Sequence, residues 1–322
     1  MCYNEIGDSM SIIKESVLGF AVGDAMGLPL VNIERETLLS NPVTSMNGGG
    51  MYNMPKGTWS DETSLTLATM DSIIRCKKID YFDLANRFCL FLKGEYTSVG
   101  SAFDVEETTK RALTEYLSSG GDPLLCGGKD ILDDDNGSLM RMLPIALYCH
   151  INKLKDKEVY EIIKSSSSIT HADSVSVMGC FIYVYYLLFI LNGKDKYASY
   201  NMIKFFDYSM FFDEDTISFY NRLLKTNIFK IRVTDLKSES YIVYTLESVF
   251  WIILNCNSFP ESIVGAINLG GDTDTIGAIV GSIAGILYGY DSIPENWIGN
   301  LKRLSYIEEI ISLFEKEMGV YE

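Results

Sequence analysis

The spacing of apolar residues constrains the fold of this chain more than any other feature of its sequence. Apolar side chains recur every three or four residues, the period of an α-helix with a buried face, through most of the chain. Alternation of apolar and polar residues, which is typical of strands, is nearly absent, and Ile228–Thr234 is the only passable strand candidate. The pattern therefore predicts an all-α fold. The predicted helical stretches are residues 10–28, 62–75, 81–93, 105–118, 138–150, 158–167, 172–191, 241–255, 261–268, 275–289 and 306–317.

These helices are expected to pack into one compact, orthogonal multi-helix domain over residues 1–322. The chain has only seven prolines, and no linker rich in Ser, Gly or Pro separates two halves. Two apolar stretches, Val175–Leu191 and Ile276–Tyr290, are shorter than the roughly 20 residues of a membrane span. The first residues also lack the basic start and apolar run of a signal peptide. We therefore expect buried core helices and no membrane association.

Charge and composition exclude several classes of partner and site. A net charge of −16 repels a phosphate backbone, so we expect no nucleic-acid binding through a basic face. The seven cysteines are scattered without a CxxC pair, which indicates reduced thiols in a cytoplasmic protein. Because the chain has only two histidines, any metal is expected to be held mainly by oxygen. A monomer is compatible with this pattern.

Two runs of glycine with a four-residue period indicate close helix packing. This period places the glycines on one face of a helix, and each costs about 1 kcal/mol of helix propensity relative to alanine. The missing side chains allow another backbone to approach, and each run lies next to an acidic segment. The first run is Gly19, Gly23 and Gly27, and the second is Gly277, Gly281, Gly285 and Gly289.

The strongest chemical signal is a pair of carboxylates in an apolar segment. Between Ile263 and Tyr290 the only charged side chains are Asp272 and Asp274. Two carboxylates so close together repel each other and resist burial, and a divalent cation would resolve both problems. The alternative is that one of them caps the following helix. Capping leaves the second carboxylate without a partner, so metal binding is favoured over capping.

A second acidic segment precedes another helical stretch. Ser60, Asp61, Glu62 and Thr63 lie in residues 57–74, which contain no basic residue. An ordinary helix start, with Ser60 as N-cap, explains this segment as well as a metal site does. Taken together, the two segments offer several carboxylate and hydroxyl oxygens, which suit Mg²⁺, Mn²⁺ or Ca²⁺ and do not suit zinc.

Six sequence motifs, which occur along this chain in the family's order, resemble those of the ADP-ribosylglycohydrolases. This family includes the dinitrogenase reductase-activating glycohydrolases. The resemblance implies an all-α hydrolase that removes ADP-ribose from an ADP-ribosylated protein or other target. It also implies a binuclear magnesium site, in which manganese can substitute. The motifs are GFAVGDAMGLP (19–29), KGTWSDETSLTL (56–67), AFDVEETTKRAL (102–113), NGSLMRMLPIALY (136–148), SSITHADSVSVMGC (167–180) and NLGGDTDTIGAIVGSIAG (268–285).

The resemblance also implies roles for particular residues. As a hypothesis, water attacks C1 of the ribose through an oxocarbenium-like transition state, and a catalytic aspartate handles the proton. The implied catalytic residues are Asp61 and Asp104; the implied metal ligands are Ser60, Asp61, Glu62, Asp272, Asp274 and Thr275; the implied substrate-binding residues are Asn136, Gly137, Ser138, Met140, His171 and Gly271.

Other roles remain open for three of the residues in these motifs. Asp104 could cap the helix that follows it. His171 could lie on the first turn of a helix capped by the pair Thr170 and Asp173, with no functional role. Arg141 could bind pyrophosphate or, more simply, offset the acidic residues 133–135.

Departures from the family pattern support a second hypothesis, a non-catalytic protein that binds ADP-ribose or metal on the same fold. Val31 stands where many members have a glutamate, and it can neither bind metal nor move a proton. Glu62 replaces an aspartate. Glu106 and Asp135 replace glycines, and Asp135 adds negative charge near the expected pyrophosphate loop.

Overall fold

The computed structural model describes residues 7–130 and 133–319, and the regular structure in these ranges is helical. Pairing between extended segments is limited there to isolated bridges such as the one between Gly49 and Met54. The prediction of an all-α fold is confirmed. The helices are α1 (Gly7–Gly27), α2 (Arg35–Ser40), α3 (Asp61–Cys76), α4 (Tyr81–Phe91), α5 (Glu107–Ser119), α6 (Leu143–Ile151), α7 (Asp156–Ser168), α8 (Ser174–Leu191), α9 (Lys196–Lys204), α10 (Glu214–Phe219), α11 (Asn221–Lys225), α12 (Ile242–Asn255), α13 (Phe259–Ile267), α14 (Thr273–Tyr288), α15 (Glu295–Ile298) and α16 (Leu304–Glu317).

Every stretch with helical spacing contains a helix, but the stretch at 138–150 is divided. It begins as a 3-10 turn, Leu139–Arg141, and continues as α6, which has Pro144 in its first turn. A proline has no N–H to donate and its ring clashes with the carbonyl group four residues earlier, so a single helix cannot run through this point.

The passable strand candidate at Ile228–Thr234 is wrong. The structure has two 3-10 turns there, Ile228–Lys230 and Val233–Asp235. Side chains rather than a neighbouring strand satisfy the backbone, since the indole of Trp251 donates to the carbonyl of Ile231 at 2.8 Å. An alternating pattern forms a strand only where a partner strand can pair with it.

The two glycine runs pack α1 against α14 in antiparallel orientation. A methyl group on Gly23 would lie 1.9 Å from the carbonyl oxygen of Gly277, and one on Gly281 would lie 2.1 Å from that of Gly19. Both distances are far inside van der Waals contact, so only glycine allows the backbones to come this close. The packing places the last turn of α1 beside the first turn of α14.

The longest apolar helix in the described residues lies inside the protein. By length and composition alone α8 could cross a membrane, but 78% of this 18-residue helix is buried inside the protein. Phe181, Tyr183 and Tyr186 on this helix are fully enclosed by other helices. Burial of this extent is what the core helix of a large helical domain shows.

Candidate active site

The first acidic segment is held by a buried carboxylate from another helix. Asp24, in the last turns of α1, is fully buried and accepts hydrogen bonds from the backbone amides of Ser60 at 3.0 Å and Thr63 at 3.1 Å. The hydroxyl groups of the same two residues also donate to it. Asp24 thus caps α3. The Ser60 side chain occupies the N-cap position without making a capping bond.

The two acidic segments meet where α3 and α14 begin. The hydroxyl oxygen of Thr275 lies 2.7 Å from the carboxylate of Glu62 and 3.0 Å from that of Asp272. The hydroxyl oxygen of Ser60 is also within hydrogen-bond distance of the second carboxyl oxygen of Glu62. The extra methylene of Glu62 is therefore accommodated inside the cluster, which joins residues 213 positions apart in the chain.

Asp272 faces the cluster instead of capping its own helix. It occupies the N-cap position of α14, but its side chain makes no capping bond. Its carboxylate accepts a hydrogen bond from the amide of Asn136 at 2.5 Å, and Asn136 also donates to Thr245 at 2.8 Å. The carboxylate is therefore directed toward the other acidic segment.

Burial and mutual repulsion disfavour ionisation throughout the cluster. Burial and then the charge of Glu62 raise the pKa values of Asp61 and Asp274 well above the ordinary range. Burial and then the charge of Asp272 raise the pKa of Glu62. A divalent cation bound among these groups would replace repulsion by attraction and return them to the charged form.

A cleft of about 280 Å³ opens over the cluster. None of the described residues that line it is lysine, arginine or histidine. The lining is therefore acidic. The lining residues are Val31, Asn32, Tyr52, Asp61, Glu62, Asp104, Glu106, Asn136, Met140, Glu239, Ser240, Gly271, Asp272, Asp274 and Thr275.

The donor atoms fit hard divalent cations. All but one of the six predicted ligands line the cleft, and they offer only carboxylate and hydroxyl oxygen, the ligand type that Mg²⁺ and Mn²⁺ prefer. Ser60 is the exception, because its hydroxyl lies behind the lining between Asp24 and Glu62. The structure thus places Ser60 as a support for Glu62.

Asp104 reaches the cleft from a strained backbone. Its φ angle is 53°, in the left-handed region that few residues other than glycine adopt. The hydroxyl of Tyr52 donates to its carboxylate, while burial and then the charge of Glu62 raise its pKa to about 6. The capping role considered for Asp104 belongs instead to Glu106, which accepts hydrogen bonds from the amides of Thr108 and Thr109.

Glu106, Asp135 and His171 form a second group of possible metal ligands, with ligand atoms within 4.8 Å of one another. The imidazole of His171 is fully buried and lies 2.5 Å from Asp135 and 3.4 Å from Glu106. Burial alone would lower the pKa of His171, but its hydrogen bonds with both carboxylates raise it to about 9. The charge that Asp135 adds is thus compensated by an imidazolium.

Three of the six predicted substrate-binding residues line the cleft, and three lie behind its wall. The lining residues are Asn136, Met140 and Gly271; those behind the wall are Gly137, Ser138 and His171. The hydroxyl of Ser138 accepts a hydrogen bond from Ser167 at 2.9 Å, inside the core. His171 lies before α8, whose N-cap is Asp173.

Arg141 neither lines the cleft nor offsets the acidic residues 133–135. Its guanidinium is buried, lies 4.5 Å from the ring centre of Phe88, and donates to the carbonyl of Ser166 at 2.8 Å. Asp133 is paired with Arg111 instead. Arg141 is therefore a structural residue of the α7 side of the core.

Sequence reasoning missed several cleft residues and one buried residue. Asn32, Tyr52 and Glu239 line the cleft, and Asp24 supports it from behind. The signal for Asp24 was present, since it is the only charged residue between Glu15 and Glu34. A lone carboxylate in an apolar helix requires buried hydrogen-bond donors. No comparable local signal marks the other three.

The raised pKa values predict that the metal-free protein loses stability as pH rises. The pKa of Asp24 is raised to about 8 by burial and then by Glu62, and that of Asp104 to about 6. In the folded protein these groups keep their protons at pH values at which the same groups in the unfolded chain are ionised. The stability that this contributes is lost as the pH rises through the folded-state pKa values. His171 acts in the same direction. Between pH 5.5 and 8.5 in EDTA we expect the melting temperature to fall by at least about 5 °C.

Differential scanning fluorimetry across this pH range, with EDTA or with excess Mg²⁺, checks the prediction. Mg²⁺ should reduce the slope, because a bound cation favours the ionised carboxylates. The contribution of His171 should remain in both conditions. A melting temperature that rises with pH in EDTA would contradict the prediction.

Comparison with known proteins identifies the family. The family model of the ADP-ribosylglycohydrolases matches residues 8–321. The chain is 30% identical over 319 residues to the ADP-ribosylarginine hydrolase Tri1 of Pseudomonas putida, covering 96% of this chain and 79% of that protein. It is 28% identical over 289 residues to the ADP-ribosyl-[dinitrogen reductase] glycohydrolase of Rhodospirillum rubrum, covering 88% of each.

A solved structure shows the same fold. An ADP-ribosylglycohydrolase-related protein complex contains a chain that matches with a TM-score of 0.80 at 24% identity, covering 97% of this chain and 99% of that one. The resemblance seen in the sequence motifs is thereby confirmed, and with it the expectation of a hydrolase that acts on glycosidic bonds. The chain belongs to the ADP-ribosylglycohydrolase family.

Proposed function

We propose that this protein removes ADP-ribose from an ADP-ribosylated target in a reaction that depends on two divalent cations, normally Mg²⁺. The observation that carries the proposal is the contact of Thr275 with Glu62 and Asp272, because it brings two acidic segments together under one cleft. Carboxylates packed in this way repel each other, and bound cations would remove that repulsion.

Five residues would hold the ions directly. They are Asp61, Glu62, Asp272, Asp274 and Thr275, all in the cleft lining. When bound, the ions would act as Lewis acids toward hydroxyl groups of the ribose and fix its C1. Ser60 would hold Glu62, and Asp24 would fix the backbone from which Asp61 and Glu62 project.

Asp104 and Asp61 are the residues proposed to transfer the proton when the glycosidic bond breaks. Both line the cleft, and the charge of Asp104 raises the pKa of Asp61 in addition to burial and Glu62. A carboxyl group whose pKa is about 6, as for Asp104, can both accept and release a proton near neutral pH. Tyr52 would orient Asp104 through its hydroxyl.

The remaining cleft residues would bind the substrate. Asn136 fixes Asp272 and lies at the cleft surface, beside Met140 and Gly271. Gly137, Ser138 and His171, behind this surface, would shape it without touching the substrate. The cleft offers its carboxylate oxygens to hydrogen-bond donors of the substrate.

An arginine side chain is the proposed carrier of ADP-ribose. Proteins of Serratia proteamaculans and Pseudomonas putida that are 28% and 30% identical to this chain are named ADP-ribosylarginine hydrolases. The acidic lining supports the assignment, because a guanidinium leaving group is cationic and pairs well with carboxylates. The bond broken would be the N-glycosidic bond at C1.

Release of ADP-ribose from an arginine-ADP-ribosylated protein tests the proposal. The release rate, followed by chromatography, should fall by at least about 100-fold when EDTA replaces Mg²⁺. A serine-linked ADP-ribosyl peptide should react more slowly than the arginine-linked substrate. Full activity in EDTA would reject the metal-dependent mechanism.

Val31 supports a second candidate function, and the same experiment tests it. This residue lines the cleft with a side chain that can neither bind metal nor carry a proton. If calorimetry detects ADP-ribose binding while no substrate is turned over, the protein is a binder on the family's fold. Turnover of the arginine-linked substrate excludes that function.

We further propose that residues 1–322 act as one domain, as a monomer in the cytoplasm, without binding nucleic acid. The packing of α1 on α14 supports one domain, because it joins the two ends of the chain. The described cysteines, which are all free, support a reducing compartment. The net charge of −16 opposes contact with a phosphate backbone.

A further inference from the structure

The turn that precedes α14 is enclosed by two segments distant from it in the chain. The amide of Asn32 donates to the carbonyl of Gly271 at 2.8 Å, and the amide of Gly271 donates to the carbonyl of Ile33 at 3.2 Å. From the opposite side, the carbonyl of Ser238 accepts the amide hydrogen bond of Asp272 at 2.7 Å. The backbone of a proposed metal ligand is thus fixed from outside its own helix.

Steric limits make this enclosure tight. A methyl group on Gly270 would lie 2.6 Å from the carbonyl oxygen of Ile33, and one on Gly271 would lie 2.4 Å from that of Ser238. Both glycines have a φ of 73°, which residues with a side chain rarely adopt. The direction in which Asp272 leaves the turn therefore depends on where the two flanking segments lie.

One side chain connects both segments to the turn. Arg35 lies two residues after Ile33 of the first segment. Its guanidinium donates to the carbonyl of Leu269 at 2.6 Å and to that of Leu236 at 2.9 Å. It also donates to the carbonyl of Val233 and, at 3.1 Å, to the hydroxyl of Ser238. Each of these partners is an uncharged oxygen of the second segment or of the residue just before the turn.

The chemistry of arginine suits this arrangement. A guanidinium presents five N–H donors in a rigid plane, whereas a lysine ammonium is a point charge with three. Burial lowers the pKa of Arg35, and the negative charges of Glu36 and Glu239 oppose that change. A half-buried cation bonded to carbonyl groups is suited to fixing backbone positions.

We propose that Arg35 is a positioning residue for the metal site, which holds residues 233–238 against Leu269 and so sets the orientation of Asp272. The inference rests on the proposed function, because it concerns the same cations. Arg35 does not line the cleft and would not touch the substrate.

Metal affinity provides the first test. We expect the apparent Kd of Mg²⁺ or Mn²⁺, measured by calorimetry, to rise at least about 10-fold in Arg35→Met and in Arg35→Lys, as for other residues that orient metal ligands. Arg232→Met is the matched control, since Arg232 directly precedes the same segment and its side chain pairs only with the exposed Asp235 among the contacts of the described residues. The control should bind the ions like the wild type.

Amide hydrogen exchange provides a second test that needs neither metal nor turnover. In EDTA, peptides that contain the amide of Asp272 should exchange at least about 10-fold faster in Arg35→Lys, while peptides from α8 exchange at the wild-type rate. Wild-type metal affinity together with wild-type exchange at Asp272 would overturn the inference. A wild-type protein that releases no ADP-ribose would reject the proposed function, and the exchange result would still decide the role of Arg35.

Discussion

Replacement of Asp272 by alanine is expected to abolish the release of ADP-ribose and to weaken Mg²⁺ binding beyond detection by calorimetry. The carboxylate faces the meeting point of the two acidic segments, 3.0 Å from the hydroxyl of Thr275, and its removal leaves the cations one anionic ligand short. Loss of an outer-shell residue at a metal site costs roughly 10- to 100-fold, so the loss of a ligand should exceed that range. The amide of Asn136 would also lose its acceptor.

Two further variants sharpen this test. Asp272→Asn keeps the shape and removes the charge, so it should be nearly as inactive as the alanine variant. Asp291→Ala removes an exposed carboxylate beyond the far end of α14 and should leave both activity and metal binding unchanged. Retention of turnover within about threefold in Asp272→Ala would show that this side chain binds no essential cation.

Replacement of Gly23 by alanine is expected to destabilise the whole protein. The added methyl group would lie 1.9 Å from the carbonyl oxygen of Gly277, an atom of the backbone that no rotamer change can move. Ordinary overpacking costs about 1–3 kcal/mol, and this contact should cost more because two long helices must separate. The better helix propensity of alanine offsets only about 1 kcal/mol. We expect a melting temperature at least about 6 °C lower.

The control for this variant lies in the same chain. Gly121→Ala adds a methyl group whose nearest neighbour is the Ser119 hydroxyl at 3.6 Å, on an exposed loop, so stability should change by less than about 0.5 kcal/mol. Gly277→Ala, on the other helix, should resemble Gly23→Ala, since its methyl group would lie 2.5 Å from the Gly23 carbonyl. A Gly23 variant as stable as the wild type would contradict the close packing.

The long helices could be predicted from the sequence because each buries a continuous apolar face, and helical spacing of apolar residues is a local property. Short helices were missed for the converse reason. The helix α10 has six residues, too few to show a period, although Asp213 caps it in the usual way. The error at Ile228–Thr234 has a different cause, since its carbonyl groups are satisfied by side chains from distant helices.

The site was predictable in its residue types but not in its division of roles. Asp61, Glu62 and Asp274 stood out because carboxylates without basic neighbours are costly to bury. The assignment of Asp24 and Arg35 required coordinates, because their partners lie on other helices and loops. The compensation of Asp135 by His171, 36 positions away, could not be read from the sequence either.

The antiparallel contact of α1 with α14 has a consequence for synthesis of the protein. The ribosome releases Gly19 and Gly23 about 250 residues before their partners on α14, and at about 5–20 residues per second the delay is on the order of tens of seconds. During this time the glycine face of α1 lacks the helix that covers it in the folded protein. We therefore expect the nascent chain to need protection from aggregation until nearly all of it has left the exit tunnel, and the proposed cation site can form only after that.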